Sequence, residues 1–200
     1  MDNIADFLFE TGMLSKTPRS GYQFLGSGKE SVAEHILRTV FVGYTLCKTD
    51  ASLNELRVLK MCVFHDLPEA RTGDMNYVNK KYVDVDEEKA VRELTEDLPF
   101  GSDIKSSIDE FNRQETKEAL IARDADQIAL ILQLKEYGDL GNKYAEEWIN
   151  FAMQRLSTEA GKKLAQKVIK TDYSNWWFKD KSDWWVNGNS QVDRLKAEDC

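Results

Sequence analysis

Histidine is the scarcest reactive side chain in this sequence: there are two, His35 and His65. Cysteine is nearly as rare, with Cys47, Cys62 and Cys200 scattered and never spaced as C-x-x-C. That odd, dispersed set argues against a disulfide framework, and none of the three is a candidate nucleophile. Cys47 and Cys62 lie in apolar helical runs and read as small core residues. Positive charge is also short, 27 basic against 35 acidic residues for a formal charge of −8. A nucleic-acid partner is therefore not expected, because a duplex needs a concentrated basic face. A small anion can still be held by one or two local cations. The opening MDNIADFLFETG is acidic, with no basic region leading into an apolar run. Neither a signal peptide, a transmembrane helix nor a membrane partner is expected, and the cytosol is the expected compartment.

Three prolines and 11 glycines in 200 residues leave room for long helices. The length suits one domain with a sizeable helical core. Apolar residues recur at helical spacing in Ile4, Phe7 and Leu8, in Val32, Ile36, Val40, Tyr44 and Cys47, and in Leu53, Leu56, Leu59 and Val63. Further helices are predicted over 86–98, 102–111, 142–156 and 159–169, with the clearest over 115–137. Residues 15–29, carrying Pro18, Gly21, Gly26 and Gly28, cannot be a regular element and are long enough for a functional loop. A second irregular segment is predicted after His65, where Pro68 disfavours helix at Leu67 and Gly73 offers a stop. No strand pattern or fixed repeat appears, so the fold class is all-α. One domain is assigned to 1–186, including a Trp-rich C-terminal segment whose paired tryptophans read as a docking surface. Disorder is expected over 187–200.

Both histidines stand beside acids, as Glu34-His35 and His65-Asp66. Neighbouring residues on a helix diverge by about 100°, so His65 and Asp66 can reach one ion only near a helix end, and Pro68 supplies that end. The long helix adds Asp124 and Asp126 inside IARDADQIALILQ, where an uncompensated carboxylate would be costly. The imidazoles of His35 and His65 with the carboxylates of Asp66 and Asp126 would make an N₂O₂ set suited to a borderline divalent metal. Two look-alikes fail. The GSGKES stretch at 26–31 lacks the first glycine and the preceding strand of a phosphate-binding loop. The DAD at 124–126 lacks the rest of a calcium loop.

The order H…HD…D resembles the HD superfamily of metal-dependent phosphohydrolases, and more closely the family of bacterial 5′-deoxynucleotidases and related eukaryotic HD-domain-containing proteins. Four strings carry the resemblance in order over roughly 14–140: RSGY at 19–22, ESVAEH at 30–35, HDLPEARTGD at 65–74, and DAD at 124–126 with Glu136-Tyr137 beyond. The resemblance implies a single helical HD domain that binds one divalent ion (Mn, Co, Zn, Fe, Ni or Mg) through His35, His65, Asp66 and Asp126. It implies that Glu69 activates the attacking water alongside Asp66, that Arg19 holds the phosphate, and that Asp74 and its neighbours contact the sugar. Tyr77 joins Arg19 and Asp74 as a substrate contact, and Asp124 is assigned to support the metal ligands from outside. With two histidines, the multi-metal site of the HD phosphodiesterases is not expected.

The implied activity is hydrolysis of nucleoside 5′-monophosphates by a homodimer acting on a small nucleotide-like substrate. The alternatives are an HD hydrolase of another small phosphate ester or of a nucleoside triphosphate, and a non-catalytic nucleotide-binding protein. One departure bears on substrate. The deoxynucleotidase pattern has a tryptophan after the phosphate-binding arginine, crowding the ribose 2′ position, whereas Ser20 follows Arg19 here.

Overall fold

Helix α1 (Asp2–Thr11) is followed by α2 (Val32–Cys47), α3 (Glu55–Phe64), a single turn α4 (Glu69–Thr72), α5 (Glu87–Thr95), α6 (Gly101–Arg113), α7 (Lys117–Asp139), α8 (Ala145–Gln154) and α9 (Glu159–Ile169). The structure is a computed structural model, and residues 2–179 and 185 are described below. The chain forms a main unit up to Lys170 and a second unit from Thr171. Among the described residues there is no strand, only one isolated bridge between Pro18 and Ser31, so the all-α expectation holds. No helix among them is long and apolar enough to cross a membrane.

Most of the longer helices begin where a short polar side chain can accept the free amides of the first turn. Ser31 opens α2 in a reciprocal capping box with Glu34. Asn54, Asp86, Thr116 and Thr158 open α3, α5, α7 and α9 by the same kind of bond. Helix α7 is buried on nearly all sides, with Ala122, Ala125, Ile128, Ala129 and Ile131 fully inaccessible. It forms the axis against which α2, α3, α8 and α9 pack.

Two apolar clusters result. The larger includes Val42, Leu46, Val58, Met61, Cys62, Ile128 and Leu134. The smaller includes Leu14, Val32, Leu67, Leu94 and Ile104. Along α2, Val32 belongs to the smaller cluster and Val42 to the larger, and the buried polar residues His35 and Thr39 lie between them. Likewise His65 stands between Cys62 of the larger cluster and Leu67 of the smaller. Both histidines therefore occupy the seam between two cores.

The two segments expected to be irregular are more ordered than the composition suggests. Residues 15–29 contain a 3₁₀ turn, Ser20–Leu25. The stretch is tied to the start of α2 by Arg19 N–H donating to the Glu30 carbonyl (2.8 Å) and Val32 N–H to the Thr17 carbonyl (3.0 Å). As expected, α3 ends at Phe64 and residues 65–68 form turns, after which Pro68 leads into one further helical turn. With φ near −59° it precedes α4, the position where a missing N–H costs nothing. Gly73, at φ 72°, closes that turn as expected.

In the second unit, α10 (Asn175–Phe178) brings Trp177, Phe178 and Trp185 into edge contacts, with centroids 5.0 to 5.7 Å apart. Trp184 and the tail 187–200, expected to be disordered, lie outside the described residues.

Close approach of α7 and α9 depends on Gly161, where a Cβ would stand 2.2 Å from Asp124 Oδ2. Gly161→Ala is expected to destabilise the fold by about 1–3 kcal/mol through overpacking, outweighing the gain of roughly 1 kcal/mol in helix propensity. A lowered urea midpoint with unchanged slope checks this.

Candidate metal centre

His35, His65, Asp66 and Asp126 converge from three helices. His35 comes from the second turn of α2, His65 is the C-cap of α3, Asp66 follows it in the turn towards α4, and Asp126 lies in the middle of α7. His35 Nε2 stands 3.0 Å from Asp126 Oδ1 and 3.7 Å from Asp66 Oδ2. His65 Nε2 stands 3.3 Å from Asp66 Oδ2 and 4.0 Å from Asp126 Oδ1. Donor atoms at about 2.1 Å from one ion are themselves roughly 3–4 Å apart, so these separations suit a single shared cation. The donor atoms of His35, His65 and Asp126 all lie within 4.8 Å of one another, and these three form the one such group among the described residues.

The histidine chemistry points the same way. His65 Nδ1–H donates to the Cys62 carbonyl at 3.0 Å, which turns Nε2 towards the cluster. That Nε2 is buried and lacks an aligned hydrogen-bond partner. Burial alone would lower the His65 pKa, but Asp66, and behind it Asp126, overcome this and raise it. Burial likewise opposes ionisation of Asp66 and Asp126, yet both are held well below the carboxylate range. For Asp66 the opposing charges are His65, Arg19 and His35; for Asp126 they are His35, His65 and Arg123. Two ionised carboxylates facing two imidazoles make a site in which a cation can replace protons.

Around this cluster opens a cavity of about 460 Å³, lined by Arg19, Asp66, Glu69, Asp74, Tyr77 and Asp126 among others. Arg19 Nη1 donates to Asp66 Oδ2 at 3.1 Å. Its burial works against its charge but is outweighed by Asp66, Asp74, Asp126 and Glu69, so the guanidinium stays charged. Glu69 lies one tight turn beyond Asp66, and its Oε2 is buried without a hydrogen-bond partner. Burial, with Asp66 and Asp74 nearby, pushes its pKa up to about 9.

Asp74 accepts from the Ser20 amide through Oδ2 at 2.7 Å, while Ser20 Oγ donates to the Asp74 carbonyl at 2.7 Å and accepts from Asn76 Nδ2 at 3.2 Å. Ser20 therefore joins the 3₁₀ turn after Arg19 to the segment after α4. Tyr77 is 62% exposed, so it stands at the rim of the cavity, with the Arg155 guanidinium 4.9 Å from its ring centre.

Asp124 meets the connection between α8 and α9. Its carboxylate is fully buried and accepts from the Ser157 and Thr158 amides (2.8 Å each) and from Thr158 Oγ1 (2.5 Å). Two residues apart on a helix, Asp124 and Asp126 point about 160° from each other. Asp124 fastens the α8–α9 connection to α7. Asp126 is braced by two residues beyond the sequence-predicted set: Gln127 Nε2 and Arg123 Nη1 donate to Asp126 Oδ2 at 2.8 and 3.2 Å. Their adjacency to Asp126 was a visible signal. Arg155 and Trp148, which also line the cavity, arrive from α8 and its end and had none.

A family model described as HD domain matches residues 11–168. The 5'-deoxynucleotidase HDDC2 of Bos taurus is 32% identical over 149 residues, covering 70% of this chain and 71% of that protein. The 5'-deoxynucleotidase hdd1 of Schizosaccharomyces pombe is 32% identical over 145 residues, covering 68% and 72%. Among solved structures, a conserved hypothetical protein from Pyrococcus furiosus superposes with a TM-score of 0.72 at 27% identity, covering 84% of this chain and 99% of that one.

The opposite orientations of the two α7 aspartates give a paired prediction. Asp126→Ala is expected to abolish Mn²⁺ retention. Asp124→Ala is expected to keep it while costing about 2–5 kcal/mol, because two buried amides lose their acceptor. Metal content after reconstitution and urea unfolding read the two effects, and the reverse pattern would exchange the roles.

Proposed function

The chain belongs to the HD-domain family, and on that premise we propose that it is a metal-dependent phosphohydrolase that releases phosphate from nucleoside 5′-monophosphates. The observation that carries this reading is that Asp66 and Asp126, the carboxylates facing His35 and His65, line one cavity together with a charged arginine and a glutamate that has a buried, unpartnered oxygen. The curated relatives named 5'-deoxynucleotidase support the substrate class. A cavity of about 460 Å³ falls within the range of roughly 300–1,000 Å³ usual for small-molecule sites.

We assign His35, His65, Asp66 and Asp126 as the ligands of one divalent ion. Bound there, the ion supplies a Lewis acid that acidifies a water and offsets charge on the phosphoryl oxygens and on the cluster carboxylates. Arg19, with one of its five N–H groups directed at Asp66, keeps the others for phosphoryl oxygens. Glu69, whose pKa is raised first by burial and then by Asp66 and Asp74, would take the proton of the attacking water. The P–O bond to the 5′ oxygen breaks, that oxygen takes a proton from solvent so that the nucleoside leaves as an alcohol, Glu69 returns its proton to solvent, and no covalent phosphoenzyme forms.

The nucleoside half is assigned to the rim near Asp74 and Tyr77. With Ser20 drawn down between Asp74 and Asn76, no bulky side chain follows Arg19, and acceptance of ribose as well as deoxyribose is proposed. We also propose a homodimer, supported by the exposed row Leu37, Phe41 and Tyr44 along one face of α2.

Metal-stripped protein reconstituted separately with Mn²⁺, Co²⁺, Zn²⁺ and Mg²⁺ tests the activity against ribo- and deoxynucleoside monophosphates. Metal-dependent orthophosphate release, lost in His65→Ala, is the expected result. Silence across the panel with intact metal binding would move the substrate to another phosphate ester. Glu69→Gln should bind Mn²⁺ as the parent does and lose at least about 100-fold in kcat; full turnover in that variant would remove Glu69 from its role.

A further inference from the structure

Gln127 is 95% buried, and its side chain is spanned by two partners of opposite chemistry. Its Nε2 faces Asp126 Oδ2 at 2.8 Å, and its Oε1 faces Arg155 Nη1 at 3.2 Å. A carboxylate only accepts and a guanidinium only donates, so both partners impose the same orientation on the amide. Turned over, it would set acceptor against acceptor and donor against donor in a buried setting. Arg155 is placed in turn by the Tyr77 ring, 4.9 Å from its guanidinium carbon. A continuous chain therefore runs from the rim of the cavity through Tyr77, Arg155 and Gln127 to one oxygen of Asp126. The other oxygen, Oδ1, is left facing His35 and His65. Arg123 also reaches Oδ2 but does so from a side chain 35% exposed, where solvent screens it.

We propose that Gln127 is a positioning residue which, oriented by Arg155, holds Asp126 with Oδ1 towards the cation site, so that the metal ligand is joined by hydrogen bonds to Arg155 and through its guanidinium–ring contact to Tyr77 at the rim. The inference rests on the phosphohydrolase reading above, because it takes Asp126 as a ligand.

Isothermal titration of the metal-stripped full chain with Mn²⁺ tests it, comparing the parent with Gln127→Leu, Gln127→Glu, Arg155→Met and the Gln127→Leu/Arg155→Met pair. Gln127→Glu keeps the size of the side chain while presenting an acceptor to Asp126, so a loss there does not come from an empty space; thermal melts verify that each variant is folded. Both Gln127 variants are expected to bind Mn²⁺ about 10–100-fold more weakly, the usual cost of removing a hydrogen-bond partner of a ligand. Arg155→Met should weaken binding by a smaller factor. Adding it to Gln127→Leu should weaken binding no further, because Arg155 acts through Gln127. Saturating Mn²⁺ should restore turnover in Gln127→Leu.

Mn²⁺ affinity within about twofold of the parent in both Gln127 variants would overturn the proposal, as would an additive loss in the pair. If the parent turns over substrate while the variants bind Mn²⁺ normally, only this inference fails. If the parent binds no divalent cation, the phosphohydrolase reading fails with it.

Discussion

Two carboxylates and two imidazoles share the seam between two apolar clusters, and most of the site depends on their mutual compensation. Asp126 lies on a helix whose other faces are packed with Ala122, Ala125, Ile128 and Ala129. An ionised carboxylate is tolerated there because His35 approaches one oxygen while Gln127 and Arg123 serve the other. Asp66 is held in the same way between His65 and Arg19. The electrostatic need of the two acids thus draws α2, the end of α3 and the loop before α2 onto the middle of α7. A divalent cation answers that need better than protons do, which links the stability of the seam to metal chemistry.

The order of the chain makes this convergence possible. Tight turns after α3 place Asp66 and Glu69 on one cavity, and α4 then ends at Gly73 in time for Asp74 to meet Ser20. The loop carrying Arg19 is not free to wander, because its backbone bonds to Glu30 and Tyr22 Oη donates to the same residue's carboxylate at 2.9 Å. Among the described residues, Glu69 is the one whose side chain keeps a buried oxygen without a partner. A group left unsatisfied beside a charged cluster is costly as structure, and it is this cost that distinguishes Glu69 from the compensated acids around it.

Much of this was legible before any fold was known. Helical spacing located the main helices to within a few residues, because caps such as Ser31, Asn54, Thr116 and Thr158 agree with the apolar period. Pro68 marked the break after α3, which ends at Phe64 with Leu67 in a turn, but its neighbours do not reveal that the same proline leads into α4. The partners of Asp124 were not legible in the same way. Spacing shows that two aspartates two positions apart diverge, but not which neighbour each will meet.

The sequence by itself determined the helical class, the scarcity of histidine that makes His35 and His65 conspicuous, and the ordered motif from Arg19 to Asp126. These rest on local period, composition and the chemistry of each side chain. Only the tertiary structure decided that Asp126 faces the histidines while Asp124 fastens α9, that Ser20 binds Asp74, and that Arg155 reaches Gln127 from α8. Those pairings join residues from 28 positions apart, Gln127 with Arg155, to 91 apart, His35 with Asp126. Contacts over such separations are set by how the helices pack around α7, which no local pattern encodes.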